Sequence, residues 1–434
     1  MLELKKYLND DVINIIKSFV IFQPQTRKEL GLALYLITTN KEQSNKNYGH
    51  ICLWDVTKII DMSNLLRYKF NFNENINDWD VSNVTNMTGM FYECHNFNQP
   101  LNKWNTQNVI SMKEMFYGCK TFNQPLNKWK LSKVQNTQYM FDECHVFNQP
   151  LNEWNTSKIT NMENMFSNCH RFNQPLYNWN TMNVTNMNYT FTNCYRFKQS
   201  LNNWKIPNVT TMSNMFRGCK KFNHPLNQWN VSNVINMDLM FHLCENFNQP
   251  LNEWDTSNVK TMDSMFSYCI SYNQSLNNWN TSKVRNMESM FEGCIHFNQP
   301  LNSWDMSKVE EMSAMFKDNY DFNQSIVGWN LESLLEYYSI FYGIIDNEIH
   351  INNLKYIKGQ IQNITDYEKI DIYDYDYYDQ YDNENEYDGY DYYGQYNNEN
   401  EYDDYDYENE YDEQSNKFEY DEYDESDDSD LEND

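Results

Sequence analysis

Nine of the ten cysteines recur at intervals of 25 residues, from Cys94 to Cys294. Thiols repeated in this way could form a ladder of disulfides or metal ligands, because adjacent repeats would bring their Cα atoms within disulfide range. The number is odd, however, each cysteine lies at an apolar position, and neither a Cys-x-x-Cys motif nor paired histidines accompany them. We therefore interpret this column as small, buried core residues.

The eight histidines and the carboxylates form no pattern typical of an enzyme. No histidine stands in an H-E-x-x-H motif or beside a nucleophile signature, and no G-x-x-x-x-G-K-(S/T) or G-x-G-x-x-G sequence occurs. The acidic residues of the repeated part change from one repeat to the next, as surface positions do. The sequence therefore predicts no catalysis, no cofactor and no metal.

Each repeat contains one tryptophan, and the residues sixteen and seventeen positions after it are the most chemically biased of the variable ones. In repeats two to seven they are rich in basic and imidazole side chains, and in later repeats they become neutral or acidic. The candidate partner-binding ridge consists of His95, Lys120, His145, His170, Arg171, Arg196, Lys220 and Lys221. It is either a solvated loop edge or a surface for an anionic partner, one candidate being the protein's own acidic tail.

These columns belong to a long internal repeat. All twelve tryptophans fall on one series with a period of 25, from Trp54 to Trp329, which defines eleven consecutive units. Phenylalanine recurs with the same period from Phe91 to Phe316, and valine or isoleucine, methionine and leucine form further columns. A unit of 25 residues is too short for a helix pair and suits one turn of a solenoid over residues 51–329.

Proline and aromatic spacing predict the local structure of each unit. Proline often precedes the Leu-x-x-Trp segment, as at Pro100, and favours extended backbone there. The Met-Phe-x-x-Cys-x-x-Phe segment has helical spacing and predicts a helical turn, whereas Val-x-x-Met fits either a second strand or the start of that turn. An asparagine nineteen residues after each Trp, replaced once by Lys198, is either a ligand-binding column or an amide ladder that satisfies backbone groups.

The two ends of the repeat need covering, and the flanking sequences predict how. Residues 331–341 have a helical apolar stripe, so residues 330–365 are predicted to form a C-terminal helical cap. Residues 1–45 predict an N-terminal helical cap, in which residues 2–39 form two helices broken at Pro24. No apolar run reaches the ~18–20 residues that span a bilayer. No signal peptide is evident either, so we expect an intracellular protein with reduced thiols.

The C-terminal tail, residues 366–434, differs sharply in composition from the rest. It holds 30 acidic and two basic residues, whereas residues 1–365 hold 32 acidic and 31 basic ones. Self-repelling charge and few aliphatic residues predict disorder. The tail could provide solubility, bind basic proteins, or be phosphorylated at Ser426 and Ser429. Its charge makes nucleic acid a poor candidate partner, because it repels phosphate.

The consensus unit F-N-Q-P-L-N-x-W-(N/D)-x-S-x-V-x-x-M-x-x-M-F-x-x-C resembles the BspA-like leucine-rich-type repeats of bacterial surface lipoproteins, which also occur in giant DNA viruses of amoebae. The resemblance covers residues 51–329. It implies a right-handed, leucine-rich-repeat-like solenoid, with a short strand and a helical turn per unit, that binds proteins without catalysis. The chain lacks the lipoprotein signal and lipidated cysteine of the bacterial members. Its Asn-, Tyr-, Ile- and Lys-rich composition is similar to that of the viral branch.

Residues 8–19 carry a second resemblance, to the opening helix of an F-box, with Asn9 in place of the F-box proline. That resemblance implies a substrate adaptor of a ubiquitin ligase in which the solenoid reads the substrate. An N-terminal cap explains the same amphipathic pattern, and packing of residues 2–39 on the first unit would distinguish the two. The sequence as a whole favours a non-enzymatic protein-binding or structural scaffold, with the adaptor as the alternative.

Overall fold

The computed structural model of the protein describes residues 21–344 and 348–360. We number the repeat units by their tryptophan, from unit 1 at Trp54 to unit 12 at Trp329. The F-box-like residues 8–19 and the acidic tail, residues 366–434, lie outside the described residues. The expectations of an adaptor helix and of a disordered tail therefore stay predictions.

Successive units are joined in register by parallel backbone bridges between residues 25 apart. Eleven bridges run from Asp61–Asn86 to Glu311–Glu336, and each is a single residue pair rather than a strand. Next to them, the amide of Thr85 donates to the Ile60 carbonyl at 2.8 Å, and the same bond recurs from unit to unit. Because every unit repeats these bonds at the same positions, the sequence period becomes a structural period.

The predicted strand and helical turn are both replaced by tight turns. The Leu-x-x-Trp segment closes on itself, since the amide of Trp104 donates to the Leu101 carbonyl at 3.2 Å. In the Met-Phe segment the amide of Met90 donates to Met87 of its own unit, at 3.2 Å. The next amide, that of Phe91, donates across to Met115 of the following unit at 2.9 Å. Alternate amides thus point out of the unit, which a helix does not allow.

Left-handed residues explain why this segment is not a helix. Two positions in each unit, ten and fourteen residues after the tryptophan, adopt positive φ, as Gly89 (58°) and Glu93 (58°) do. A single left-handed residue ends a right-handed helix. At Gly118 (φ 69°) glycine adopts this conformation without strain, whereas Glu93 and Glu143 hold the same position in the neighbouring units.

The repeated apolar columns form one continuous core, as predicted. The tryptophan, phenylalanine and cysteine series are buried, and like rings lie above one another. Ring centroids are 6.3 Å apart for Trp104 and Trp129, and 5.6 Å apart for Phe116 and Phe141. The polar atoms of these columns are also satisfied: Sγ of Cys119 donates to a backbone carbonyl of the preceding unit at 3.1 Å, and tryptophan indoles do likewise. The cysteines are free thiols, and burial raises the pKa of those in the core.

The asparagine column forms the predicted amide ladder. Oδ1 of Asn73 accepts the backbone amide of Asn98 at 3.0 Å and the side-chain amide of Gln99 at 3.1 Å, and the pattern continues along the array. The backbone amide of Lys198 donates to Oδ1 of Asn173 at 3.0 Å, but the lysine side chain has no oxygen to accept the next amide. Within the described residues, the amide of Asn223 consequently has no acceptor at this point of the ladder.

Two helices cover the first unit. Helix α1, Arg27–Thr39, follows the break at Pro24 and has Thr26 as its N-cap residue. Helix α2, Lys41–Tyr48, comes next along the chain. Leu30, Ala33 and Leu34 of α1 are buried in the same core as the repeats. The described part of the N-terminal segment therefore packs on unit 1, whereas α2 was not predicted.

The helix predicted over residues 331–341 is wrong. These residues form a twelfth unit, joined to unit 11 by the Glu311–Glu336 bridge and by the Phe316 amide, which donates to Ile340 at 3.0 Å. The covering helix is α3, Glu348–Gln360, further along the chain. Its Asn353 bonds to backbone groups of unit 11, accepting from the Ile326 amide at 3.1 Å.

Candidate partner-binding edge

The ridge residues lie side by side along one edge of the array, because the backbone beneath them is hydrogen-bonded from unit to unit. In several units the amide seventeen residues after the tryptophan donates to the carbonyl sixteen residues after the preceding tryptophan, although the amides of Arg196 and Lys221 do not form this bond. Thr121 donates in this way to His95 at 3.2 Å, and Arg171 to His145 at 3.3 Å. This edge consists of variable side chains held on a regular backbone.

Stacked rings connect the middle of the ridge. The imidazoles of His145 and His170 are 4.6 Å apart and nearly parallel, and the ring of Tyr195 continues the stack 4.9 Å from His170. Burial is the main cause of the lowered pKa of His170, and the neighbouring His145 adds to it. At neutral pH His170 therefore adds little positive charge to the ridge.

Carboxylates lie beside two histidines in the first half of the ridge, whereas Lys120 is exposed without an ion pair among the described residues. His95 pairs with Glu93, and Nε2 of His145 lies 3.1 Å from Oε2 of Glu143. That hydrogen bond from His145 is the main reason that the pKa of Glu143 is lowered. In the second half, Lys220 pairs with Glu245 at 2.9 Å, whereas Arg171, Arg196 and Lys221 are exposed without an ion pair among the described residues.

The structure adds two cations to this edge that the sequence reasoning missed. Lys198 lies two residues after Arg196, and Arg217 lies three residues before Lys220 in the same unit. The signal that could have revealed them is the absence of any Asp or Glu between Glu163 and Asp238. The positive charge of this edge is therefore concentrated in units 5 to 7, with Lys120 of unit 3 as a further exposed cation.

The described residues offer neither a metal cluster nor a membrane span. In residues 21–344 and 348–360, no three side chains of His, Cys, Asp or Glu are arranged to hold a metal ion. No helix in these ranges has the length and apolarity that crossing a bilayer requires.

The fold and the edge together define a tandem-repeat protein with a 25-residue aromatic and cysteine period. Sequence comparison then gives its family. Three consecutive matches, to residues 36–154, 138–254 and 240–354, identify the family described as "Mycoplasma protein of unknown function, DUF285". These matches span nearly three quarters of the chain, which therefore belongs to that family. No curated protein and no solved structure matches it.

Proposed function

We propose that the protein is a non-enzymatic, protein-binding scaffold, built as a right-handed leucine-rich-repeat-like solenoid of the BspA-like kind. One observation carries the proposal: the polar atoms of the recurring side chains are already satisfied by backbone carbonyls of neighbouring units. The Trp129 indole donates to the Leu101 carbonyl at 2.9 Å, and the Cys144 thiol donates to Phe116 at 3.0 Å. The surface that remains available to a partner is the edge that carries the variable side chains.

The regular backbone under the ridge supports a binding role over a merely solvated edge. Side chains in successive units are presented at a fixed spacing, so little conformational entropy is lost when a partner docks. The stack of His145, His170 and Tyr195 further restricts the rings at the centre. A rigid edge that carries different side chains on each unit is typical of the binding surfaces of repeat proteins.

Photo-crosslinking from two positions of one unit tests this role in the full chain. A photoreactive amino acid replaces Thr121, next to the ridge residue Lys120, or, as the matched control, Lys128, which is also exposed and lies seven residues further along unit 3. A discrete protein adduct from Thr121 and none from Lys128 is the expected result. Equal adducts at both positions, or none at either, would contradict binding through the ridge.

The adaptor function remains the alternative, and the packing of the described N-terminal residues argues for the cap. Phe22 contacts the ring of Trp54 with centroids 5.1 Å apart, and Arg27 bonds to the Ser63 carbonyl. These contacts fix residues from 21 onward to unit 1. Deleting residues 1–20 therefore tests the adaptor alone: loss of a bound ligase component would support it, and unchanged partners would exclude it.

A further inference from the structure

One stretch of the array contains no acidic side chain at all. Between Glu163 and Asp238 the sequence holds no Asp or Glu but seven Lys and Arg, although residues 1–365 as a whole are almost neutral. This stretch covers most of unit 5, the whole of units 6 and 7, and the start of unit 8. The array therefore carries a strong local positive charge in its middle.

Six of these seven cations occupy the same segment of their units, between thirteen and nineteen residues after the tryptophan of each unit. We call them the cationic patch: Arg171, Arg196, Lys198, Arg217, Lys220 and Lys221. Buried phenylalanines fix their alignment, because Phe172, Phe197 and Phe222 each follow a patch residue and stack at 6.0 and 6.1 Å. The patch thus spans three adjacent units. The seventh cation, Lys205, is in a different part of the unit.

The patch has unused capacity to bind an anion. Among the described residues only one of the six, Lys220, forms an ion pair. Nε of Arg217 is buried without a hydrogen-bond partner, and so is Nδ1 of His242 in the next unit. Burial and the charge of Arg217 lower the pKa of His242 to about 4. Buried polar atoms without a partner are uncommon, so this part of the array is incompletely satisfied by its own side chains.

The size of the patch selects the kind of anion. Neighbouring parallel segments lie ~4.8 Å apart, so three units extend roughly 10 Å, which three or four residues of an extended peptide cover at ~3.3 Å each. Glu143 flanks the patch in unit 4 and Glu245 in unit 8. A nucleic acid duplex, with one charge per ~1.7 Å, would run onto these carboxylates. Arginine also matches carboxylates with two parallel hydrogen bonds.

We propose that the cationic patch is the docking site for a short, extended, Asp/Glu-rich segment of a partner protein. This inference rests on the proposed scaffold function and names the partner class for the same edge. Carboxylates of the segment would bind within the patch to the exposed cations Arg171, Arg196 and Lys221.

The test uses a fluorescent polyglutamate peptide and the full chain, with binding measured by anisotropy at low and high salt. The patch variant combines Arg196→Glu with Lys221→Glu. The matched control combines Lys128→Glu with Lys205→Glu, which makes the same charge change at exposed sites outside the patch. We expect the patch variant to weaken binding about tenfold or more and the control about twofold or less, because reversal turns attraction into repulsion only at the site.

Three results would overturn the proposal: no binding of polyglutamate to the wild-type chain, equal losses in the two variants, or equally tight binding of a single-stranded oligothymidylate. Urea unfolding of both variants checks that the fold is kept. If the patch variant is unstable, Arg196→Gln with Lys221→Gln replaces it and should give a smaller loss of binding in the same direction. Failure here together with a retained Thr121 adduct would reject the partner class and leave the scaffold function in place.

Discussion

Replacing Trp179 by alanine is the sharpest test of the stacked core. The side chain is only 4% exposed, its indole donates to the Leu151 carbonyl at 3.0 Å, and its ring lies between those of Trp154 and Trp204, 6.2 and 6.1 Å away. A Trp-to-Ala change in a core costs about 3–5 kcal/mol. The Leu151 carbonyl keeps the hydrogen bond from the Trp154 amide, 3.1 Å, so the lost indole bond adds little to this figure. We expect a loss of about 3–5 kcal/mol.

Urea unfolding followed by circular dichroism measures this loss. Trp179→Phe keeps most of the ring and removes the indole N–H, so it should cost only about 1–3 kcal/mol. Tyr177→Ala, two residues away at a side chain 53% exposed, is the control and should change the free energy of unfolding by less than about 0.5 kcal/mol. A loss below about 1 kcal/mol for Trp179→Ala would refute the inward-facing tryptophan ladder.

Three further predictions concern other columns of the array. Burial raises the pKa of Asp142 to about 6, so the folded state favours the protonated carboxyl group. The contribution of this protonation to the free energy of unfolding is complete below about pH 4 and is lost as the pH rises through about 6. Asp142→Asn should therefore stabilise the protein by about 1–3 kcal/mol above pH 7 and hardly at all near pH 4, and a pH-independent effect in urea unfolding would contradict this. In the native protein a thiol reagent should label only Cys52, which is half-buried, whereas fast labelling of the nine buried cysteines would show that the core opens. Lys198→Asn should restore an acceptor for the Asn223 amide and raise the free energy of unfolding by about 0.5–1.5 kcal/mol, and no rise beyond that of Lys205→Asn would contradict the ladder.

The core could be predicted from the sequence because buried positions repeat at every turn of the array. Trp, Phe and Cys columns at a fixed period leave no doubt about which side chains face inward. The backbone conformation could not be predicted in the same way. Turns closed by bonds between residues three apart place the same positions on one side as a helix does, so Met-Phe-x-x-Cys-x-x-Phe fits both structures. Only the left-handed residues distinguish them, and side-chain type does not specify these, since Glu93 and Gly89 both adopt positive φ.

The error at residues 331–341 has the same origin. Leu331, Leu334 and Phe341 stand two, five and twelve residues after Trp329, which are the positions of Val81, Val84 and Phe91 relative to Trp79. Their apolar stripe is the stripe of the repeat itself. Continuing the 25-residue period by one unit predicts the observed structure, whereas helical spacing taken alone predicts a helix.

At Lys198 the repeat departs from its own pattern, and the place of this departure bears on function. It is the single non-asparagine residue in a column that otherwise extends from Asn73 to Asn323, and it lies inside the cationic patch. The lysine deprives the Asn223 amide of an acceptor, so the sequence gives up a backbone hydrogen bond in the units where it also excludes every carboxylate. Local losses of stability of this kind are expected at functional sites. If the patch binds acidic segments, Lys198→Asn should therefore make the protein more stable and at the same time weaken polyglutamate binding. Greater stability with unchanged binding would mean that Lys198 is a tolerated defect of the ladder rather than part of the site.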